Sequence, residues 1–187
     1  MLSLLKFLAD IPGRLWQKYR IRSDFMAYAR SLGVRMGSNV RFYASNPSMF
    51  GSEPFLITLG NDVYITAGVQ FITHDGGTLI LRKEVPDLDY TAPIIIGNDV
   101  YIGMETIILP GVTIGNRCVI GAGSVVTKDI PDNSVAAGVP ARVIKTTDEY
   151  LEGLKRKSLH CGHMGPAEKV LFLKEHFNIT HPFKSLY

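Results

Sequence analysis

His74 is the first residue to weigh as a chemical group. It stands in the segment FITHDGG, residues 71–77, and it is the one histidine between residues 34 and 147. Imidazole titrates near neutrality, so a histidine at a break in an ordered scaffold is a candidate general base. Such a base is held in place by a partner on its other ring nitrogen. Asp75, Glu84, Asp87 and Asp89 are the carboxylates close to it in sequence. Asp75 and Asp89 join His74 in the candidate catalytic set, although Asp75 ahead of Gly76 and Gly77 also suits a turn.

Other reactive side chains carry less. His160-Cys161-Gly162-His163 is a single compact cluster, and a zinc site needs three or four ligands with no second half evident here. No metal is expected. Cys118 falls at a position that a repeat turns inward, which makes it core rather than a nucleophile. Two cysteines give no disulfide framework. The net charge of +3, from 20 basic and 17 acidic residues, does not argue for nucleic acid. Hydrophobic content of 46% in 187 residues supports one folded domain with appendages.

What positions these groups is a repeat. Ile96, Ile102, Ile108, Ile114, Ile120 and Val126 recur every sixth residue, with Gly97, Gly103, Gly115 and Gly121 directly after four of them. Four residues after each aliphatic comes Val100, Thr106, Val112, Cys118, Ser124 or Ile130. A period of six matches neither a helix nor simple alternation. It matches a three-sided coil of about 18 residues whose aliphatics stack inward. The glycines are expected to supply the backbone conformation of the corners. The pattern is looser upstream: Met36-Gly37 and Phe42, then Leu59-Gly60, Ile65 and Phe71, with Val63 and Val69 as second inward residues. Two stretches interrupt it, at 46–55 and 75–93, and insertions into such a coil leave it as surface loops.

The flanks change period. The N-terminal segment, 1–34, is basic and amphipathic, with Trp16 and Tyr19 among Arg14, Lys18, Arg20 and Arg22. It lacks the pattern of a signal peptide or a spanning helix. Within it, residues 22–33 read as a short helix with Ser23 as N-cap and Gly33 at its end. The C-terminal segment, 147–187, carries two helices, at 147–158 and at 166–177 behind Pro166. The flanking helices are expected to cap the open end of the coil. Residues 35–146 form the coil domain between them.

Four segments carry a family resemblance: IGNDVYIG (96–103), ILPGVTIG (108–115), IGAGSVVTKDIP (120–131) and AAGVPARVIK (136–145). They resemble the C-terminal half of the hexapeptide-repeat acyltransferases, the maltose and galactoside O-acetyltransferase group. FITHDGG and the loop after it are similar to capsule and O-antigen acetyltransferases. The resemblance covers about 36 to 147. It implies a left-handed parallel β-helix and a homotrimer with active sites between subunits. It implies direct acetyl transfer from acetyl-CoA to a hydroxyl of a sugar or polysaccharide precursor, with His74 as base and no acyl-enzyme. It implies that Gly103 and Met104 lie at the thioester, that Met104 and Ala122 touch the pantetheine arm, and that Thr127, Lys128 and Arg142 touch the coenzyme. Lys145 stands where the galactoside enzyme has a second arginine. Asn46 and, more weakly, Glu53 match acceptor-contacting positions. The expected setting is cytoplasmic; the N-terminal segment is expected to pack on its own domain or on a neighbouring subunit, with peripheral contact at the inner membrane as the alternative.

Three rival readings remain at this level. The γ-type carbonic anhydrases share the repeat but need three zinc-binding histidines, and the coil here offers His74 alone. A non-catalytic scaffold would need neither the histidine loop nor the VTKDIP and GVPARV segments. An amine acceptor, such as an amino-sugar nucleotide or an antibiotic, is the alternative within acetyltransferases.

Overall fold

A computed structural model describes residues 24–179. Thirteen short strands, β1 to β13, run through it, at Arg35–Met36, Arg41–Phe42, Ile57–Leu59, Val63–Ile65, Gln70–Phe71, Ile94–Ile96, Val100–Ile102, Ile107–Ile108, Thr113–Ile114, Val119–Ile120, Val125–Val126, Ser134–Gly138 and Ala141–Thr146. They form three sheets. The first is ordered β1-β3-β6-β9, the second β13-β12-β10-β7-β4-β2, and the third β11-β8-β5. From β3 to β11 the chain visits the first, second and third sheet in rotation, and all pairs but β12–β13 are parallel. The result is a parallel coil with three faces. Its registers keep like positions stacked: Val63, Val100 and Ile65, Ile102 pair directly, as do Ile102 and Ile120, and Phe71, Ile108 and Val126.

The expected inward residues are inside. Ile96, Ile102, Ile108, Ile114, Ile120 and Val126 are at most 1% exposed, and Val100, Thr106, Val112, Cys118, Ser124 and Ile130 are buried beside them. Two inward hydroxyls are satisfied within the coil, Thr106 Oγ1 donating to the Gly103 carbonyl at 2.7 Å and Ser124 Oγ to that of Gly121 at 2.6 Å. A buried hydroxyl is tolerated only with such a partner. Burial pushes the Cys118 thiol up, as suits an inert core residue.

The corners differ from expectation in one respect. The glycines after the aliphatics do not supply the left-handed backbone. Between the first and second sheets that conformation falls two residues later, on Asn39, Asp62, Asp99, Arg117 and Asn133, all with φ near 55°. The glycines answer crowding instead: a Cβ on Gly97 would lie 2.8 Å from the Gly115 backbone of the next coil. Alongside runs a ladder of side chains. Asn61 N–H donates to Asn98 Oδ1, Asn98 N–H to Asn116 Oδ1, and Asn116 N–H to Asp132 Oδ1, at 2.8, 2.9 and 2.6 Å. It supplies acceptors for corner amides that the sheets leave unpaired.

The ends are closed by packing and by pairing. Helix α1, Phe25–Ser31, starts at Asp24, whose side chain caps Ala27 N–H, and Gly33 follows at φ 97°. The expected cap, Ser23, lies outside the described residues, as does most of the N-terminal segment. Phe25 of α1 packs edge-on to Phe42 at 5.1 Å and parallel to Phe50, which stacks on Phe71 at 6.2 Å. Phe50 belongs to the 46–55 insertion and is fully buried. That insertion is therefore a surface loop only in part: Met49 and Phe50 enter the core, while Asn46, Ser48, Gly51, Ser52 and Phe55 stay exposed. At the other end β13 runs antiparallel to β12 and takes its edge.

The chain divides into two compact units, Met1–Tyr150 and Leu151–Tyr187. Helix α3, Thr147–Lys157, begins in the first with a reciprocal cap between Thr146 and Glu149 and an Arg117–Asp148 ion pair at 2.6 Å. The second unit holds the rest of α3 and helix α4, Pro166–His176, neither with a buried side chain. A one-turn helix, α2, Thr78–Leu81, lies in the long insertion.

Gly97→Ala should lower stability by about 1–3 kcal/mol, the usual cost of overpacking. Gly76→Ala, where an added Cβ meets nothing within 4 Å, should change little. Denaturant unfolding of both variants checks this, and equal stabilities would contradict the crowding.

Candidate active site

His74 lies where the third sheet ends. Phe71 is the last residue of β5 and points inward, Thr73 points inward again, and His74 turns out with its side chain 40% exposed. The loop that follows is stapled at its base. His74 and Thr91 form an antiparallel bridge, Asp75 N–H donates to Tyr90 O at 2.8 Å, and Ala92 N–H to Thr73 O at 2.9 Å. The backbone of the histidine is thus fixed on both sides.

Its side chain is fixed by Glu53. His74 Nδ1 lies 2.8 Å from Glu53 Oε2, and the hydroxyl of Thr73 donates to that same oxygen at 2.7 Å. Hydrogen bonds from Thr73 and His74 hold the Glu53 carboxyl below its ordinary value of 4.5. An ionised carboxylate accepts, so Nδ1 carries the hydrogen, and in the neutral imidazole it is Nε2 that keeps the lone pair. This is the arrangement a general base needs.

The expected orienting carboxylates are corrected by this geometry. Asp75 Oδ1 accepts from Gly77 N–H at 2.8 Å and closes the turn into α2. Asp89 pairs with Arg82 at 3.5 Å and accepts from Thr91 Oγ1. Neither bonds the imidazole; both shape the loop. Glu53, expected among acceptor contacts, holds the histidine. Asn46 is exposed and caps the turn Pro47–Phe50, its Oδ1 accepting from Ser48 N–H at 3.1 Å.

A cavity of about 290 Å³ opens beside the imidazole, lined by Ile72, His74, Asp75, Tyr90, Leu109, Pro110 and Thr127. The registers explain this lining. Phe71, Ile108 and Val126 are stacked, so Ile72, Leu109 and Thr127 follow one another down the edge. Tyr90 comes from the returning arm of the loop, its hydroxyl 3.4 Å from the Pro110 carbonyl. Coil counting from His74 would have found Leu109, Pro110 and Thr127. Nothing in the sequence marks Tyr90 or pairs Glu53 with His74, because both arrive on insertions of irregular length.

The residues expected at the coenzyme divide between edges. Gly103, Met104 and Ala122 lie at turns between the second and third sheets, Met104 and Ala122 one coil apart as the Ile102–Ile120 pairing requires. Arg142 pairs with Ala137, which follows the Ala136 that stacks on Ile120, and so reaches the same edge. Met104 is 53% exposed and lines a second hollow with Tyr43, Thr66, Ala67 and Tyr101. Gly123, at φ 66° with nothing within 4 Å of an added Cβ, leaves the backbone there open to a ligand. Thr127 and Lys128 lie instead on the histidine edge. Lys145, opposite Val135, lies toward the far end of β12. One chain therefore carries the imidazole and most of the expected coenzyme contacts on opposite sides of its third sheet. Among the described residues, no three His, Cys, Asp or Glu side chains gather as a metal-holding group, and no helix is long and apolar enough to cross a membrane.

Comparison with known proteins bears on this geometry. Residues 93–128 match the family model "Bacterial transferase hexapeptide (six repeats)". Protein CapG of Staphylococcus aureus is 49% identical over 148 residues, covering 79% of this chain and 86% of CapG. The galactoside O-acetyltransferase of Escherichia coli K12 is 46% identical over 118 residues, covering 60% of this chain and 57% of that enzyme. Among solved structures, the hexapeptide-repeat acetyltransferase VCA0836 of Vibrio cholerae O1 biovar eltor, in complex with acetyl coenzyme A, is similar at a TM-score of 0.51 and 28% identity, covering 72% of this chain and 84% of that one.

The Glu53 carboxyl gives a test by pH. Because its value is lowered on folding, its contact with Thr73 and His74 stabilises fully above about 4.5 and fades as pH falls through the lowered value. Wild type should therefore exceed Glu53→Gln in stability at pH 7, with the gap closing below pH 4.5. A gap that stays constant down to pH 3 would show the carboxylate to be unpaired. With its coil, its stapled histidine and a relative matched over most of its length, the chain belongs to the hexapeptide-repeat transferase family and is an acyltransferase.

Proposed function

We propose that this chain is an acetyl-CoA-dependent O-acetyltransferase whose acceptor is a hydroxyl of a sugar or polysaccharide precursor. The observation that carries the reading is the imidazole locked by Glu53 beside a cavity of about 290 Å³. The reading is supported by a relative named as a galactoside O-acetyltransferase and by a neighbour solved in complex with acetyl coenzyme A. His74 Nε2 accepts the proton of the attacking hydroxyl as its oxygen bonds the thioester carbonyl carbon. The tetrahedral intermediate collapses with loss of the thiolate, which takes the proton back from the imidazolium. The acetyl group then rests on the acceptor oxygen, with no acyl-enzyme. A positioned base of this kind contributes roughly a hundredfold or more.

The coenzyme follows the edge of Gly103, Met104 and Ala122, with the Gly103–Met104 amide as oxyanion donor and Arg142 on phosphate oxygens. Thr127 and Lys128 meet it from the histidine edge, and Lys145 adds charge. The separation of these edges within one chain supports a homotrimer in which the histidine edge of one copy faces the coenzyme edge of the next. The coil is then a left-handed parallel β-helix spanning 35–146, with helical segments at 1–34 and 147–187. A cytoplasmic setting belongs to the same reading. The basic N-terminal segment is proposed as a peripheral membrane contact.

A thiol-release assay with acetyl-CoA against sugars, nucleotide sugars, amino sugars and oligosaccharides tests the reaction. Release only with amines would overturn the hydroxyl acceptor. His74→Ala should abolish turnover while leaving acetyl-CoA binding intact, and near-normal turnover would remove the base. Arg142→Ala should raise the KM for acetyl-CoA severalfold with less effect on kcat; an unchanged KM would break the phosphate assignment.

A further inference from the structure

Six threonine and serine side chains are buried among the described residues: those of Thr66, Thr73, Thr78, Thr106, Ser124 and Ser134. Five donate to backbone carbonyls, of Ile102, Asp75, Gly103, Gly121 and Asp132. Thr73 alone of the six donates to a charged side chain, Glu53 Oε2, at 2.7 Å. It is fully buried, two residues past the inward Phe71.

The oxygen it holds is the one that His74 Nδ1 meets at 2.8 Å. Glu53 sits at the end of an irregular insertion, behind the buried Phe50 and the turn that Asn46 caps, and its carboxylate accepts from Thr73 and from His74. A glutamate on such a segment has three side-chain torsions to order. A hydroxyl fixed inside a close-packed coil removes most of that freedom before the imidazole arrives. It also donates to the carboxylate, which favours the charged form that accepts from Nδ1.

We propose that Thr73 is a positioning residue of the transfer reaction: its buried hydroxyl fixes the Glu53 carboxylate, and through it the tautomer and orientation of His74. The inference rests on the reading of His74 as the base. Thr73 touches neither substrate nor reacting atom in this account. It sets the carboxylate, the carboxylate sets the imidazole, and Nε2 is left as the one basic nitrogen facing the cavity.

The test is Thr73→Val, which keeps shape and removes the hydroxyl, read with the best acceptor from the assay above. The expected result is a loss of about tenfold or more in kcat, part of the roughly hundredfold that a positioned base contributes, with the KM for acetyl-CoA within about twofold of wild type. Thr73→Ser should recover most of kcat. In ¹⁵N spectra of the imidazoles, wild-type His74 should show a single Nδ1–H tautomer and Thr73→Val a mixture. Should Thr73→Val not fold, Thr73→Ala carries the same expectations. Wild-type kcat in the valine variant, a kcat loss with the His74 tautomer unchanged, or a serine variant as slow as valine would each overturn the inference. A fully active His74→Ala would bring down the underlying reading. An inactive His74→Ala beside a fully active Thr73→Val would remove Thr73 alone.

Discussion

Parallel strands laid directly over their equivalents in the next coil impose the constraint from which the rest of this molecule follows. Each coil must present the same kind of side chain at the same height, or the stack cannot close on itself. Ile96, Ile102, Ile108, Ile114 and Ile120 satisfy that demand and lose all but a trace of their exposure. Backbones that approach so closely leave no room for a Cβ at Gly97 or Gly115, and the sharp corners pass their left-handed residue to Asp99 and Arg117. Order in one dimension thus comes from two economies of space, one inside the coil and one at its edge.

Function enters where that order is broken. The first insertion follows β2 of the second sheet, the second follows β5 of the third, and both lead back into the first sheet. The first brings Phe50 into the core and Glu53 to the edge, so one segment both seals the coil and orients the histidine. The second is stapled through His74 and Thr91 and lays Tyr90 along the cavity. Because both are anchored to a rigid coil, the imidazole is held from its backbone and from its ring at once. Preorganisation of this kind spares a base the need to find its geometry when a substrate arrives.

Legibility in the sequence followed periodicity closely. The inward ladder, including the unexpected hydroxyls and thiol of Thr106, Ser124 and Cys118, could be read from spacing alone, as could the one-coil offset of Met104 and Ala122. The helices at the C-terminus appeared from their charged first turns and Pro166. Reading failed where the period failed. Asp75 and Asp89 looked like partners of His74 because they are near in sequence, yet Asp75 is spent on the turn at Gly77 and Asp89 on Arg82 and Thr91. The glycines of the corners were read as conformational devices when their role is to let neighbouring coils touch.

The sequence by itself determined the coil, its core and the place of the one histidine within it, because a six-residue period admits few other ways to bury its aliphatics. Only the tertiary structure decided which carboxylate meets that histidine, which hydroxyl steadies the carboxylate, and which edge each expected coenzyme contact occupies. Those choices depend on how irregular segments fold back over a regular stack. Their contacts join residues about 20 apart in the chain, as with Glu53 and Thr73, and no local spacing rule encodes a contact made by a loop's return path.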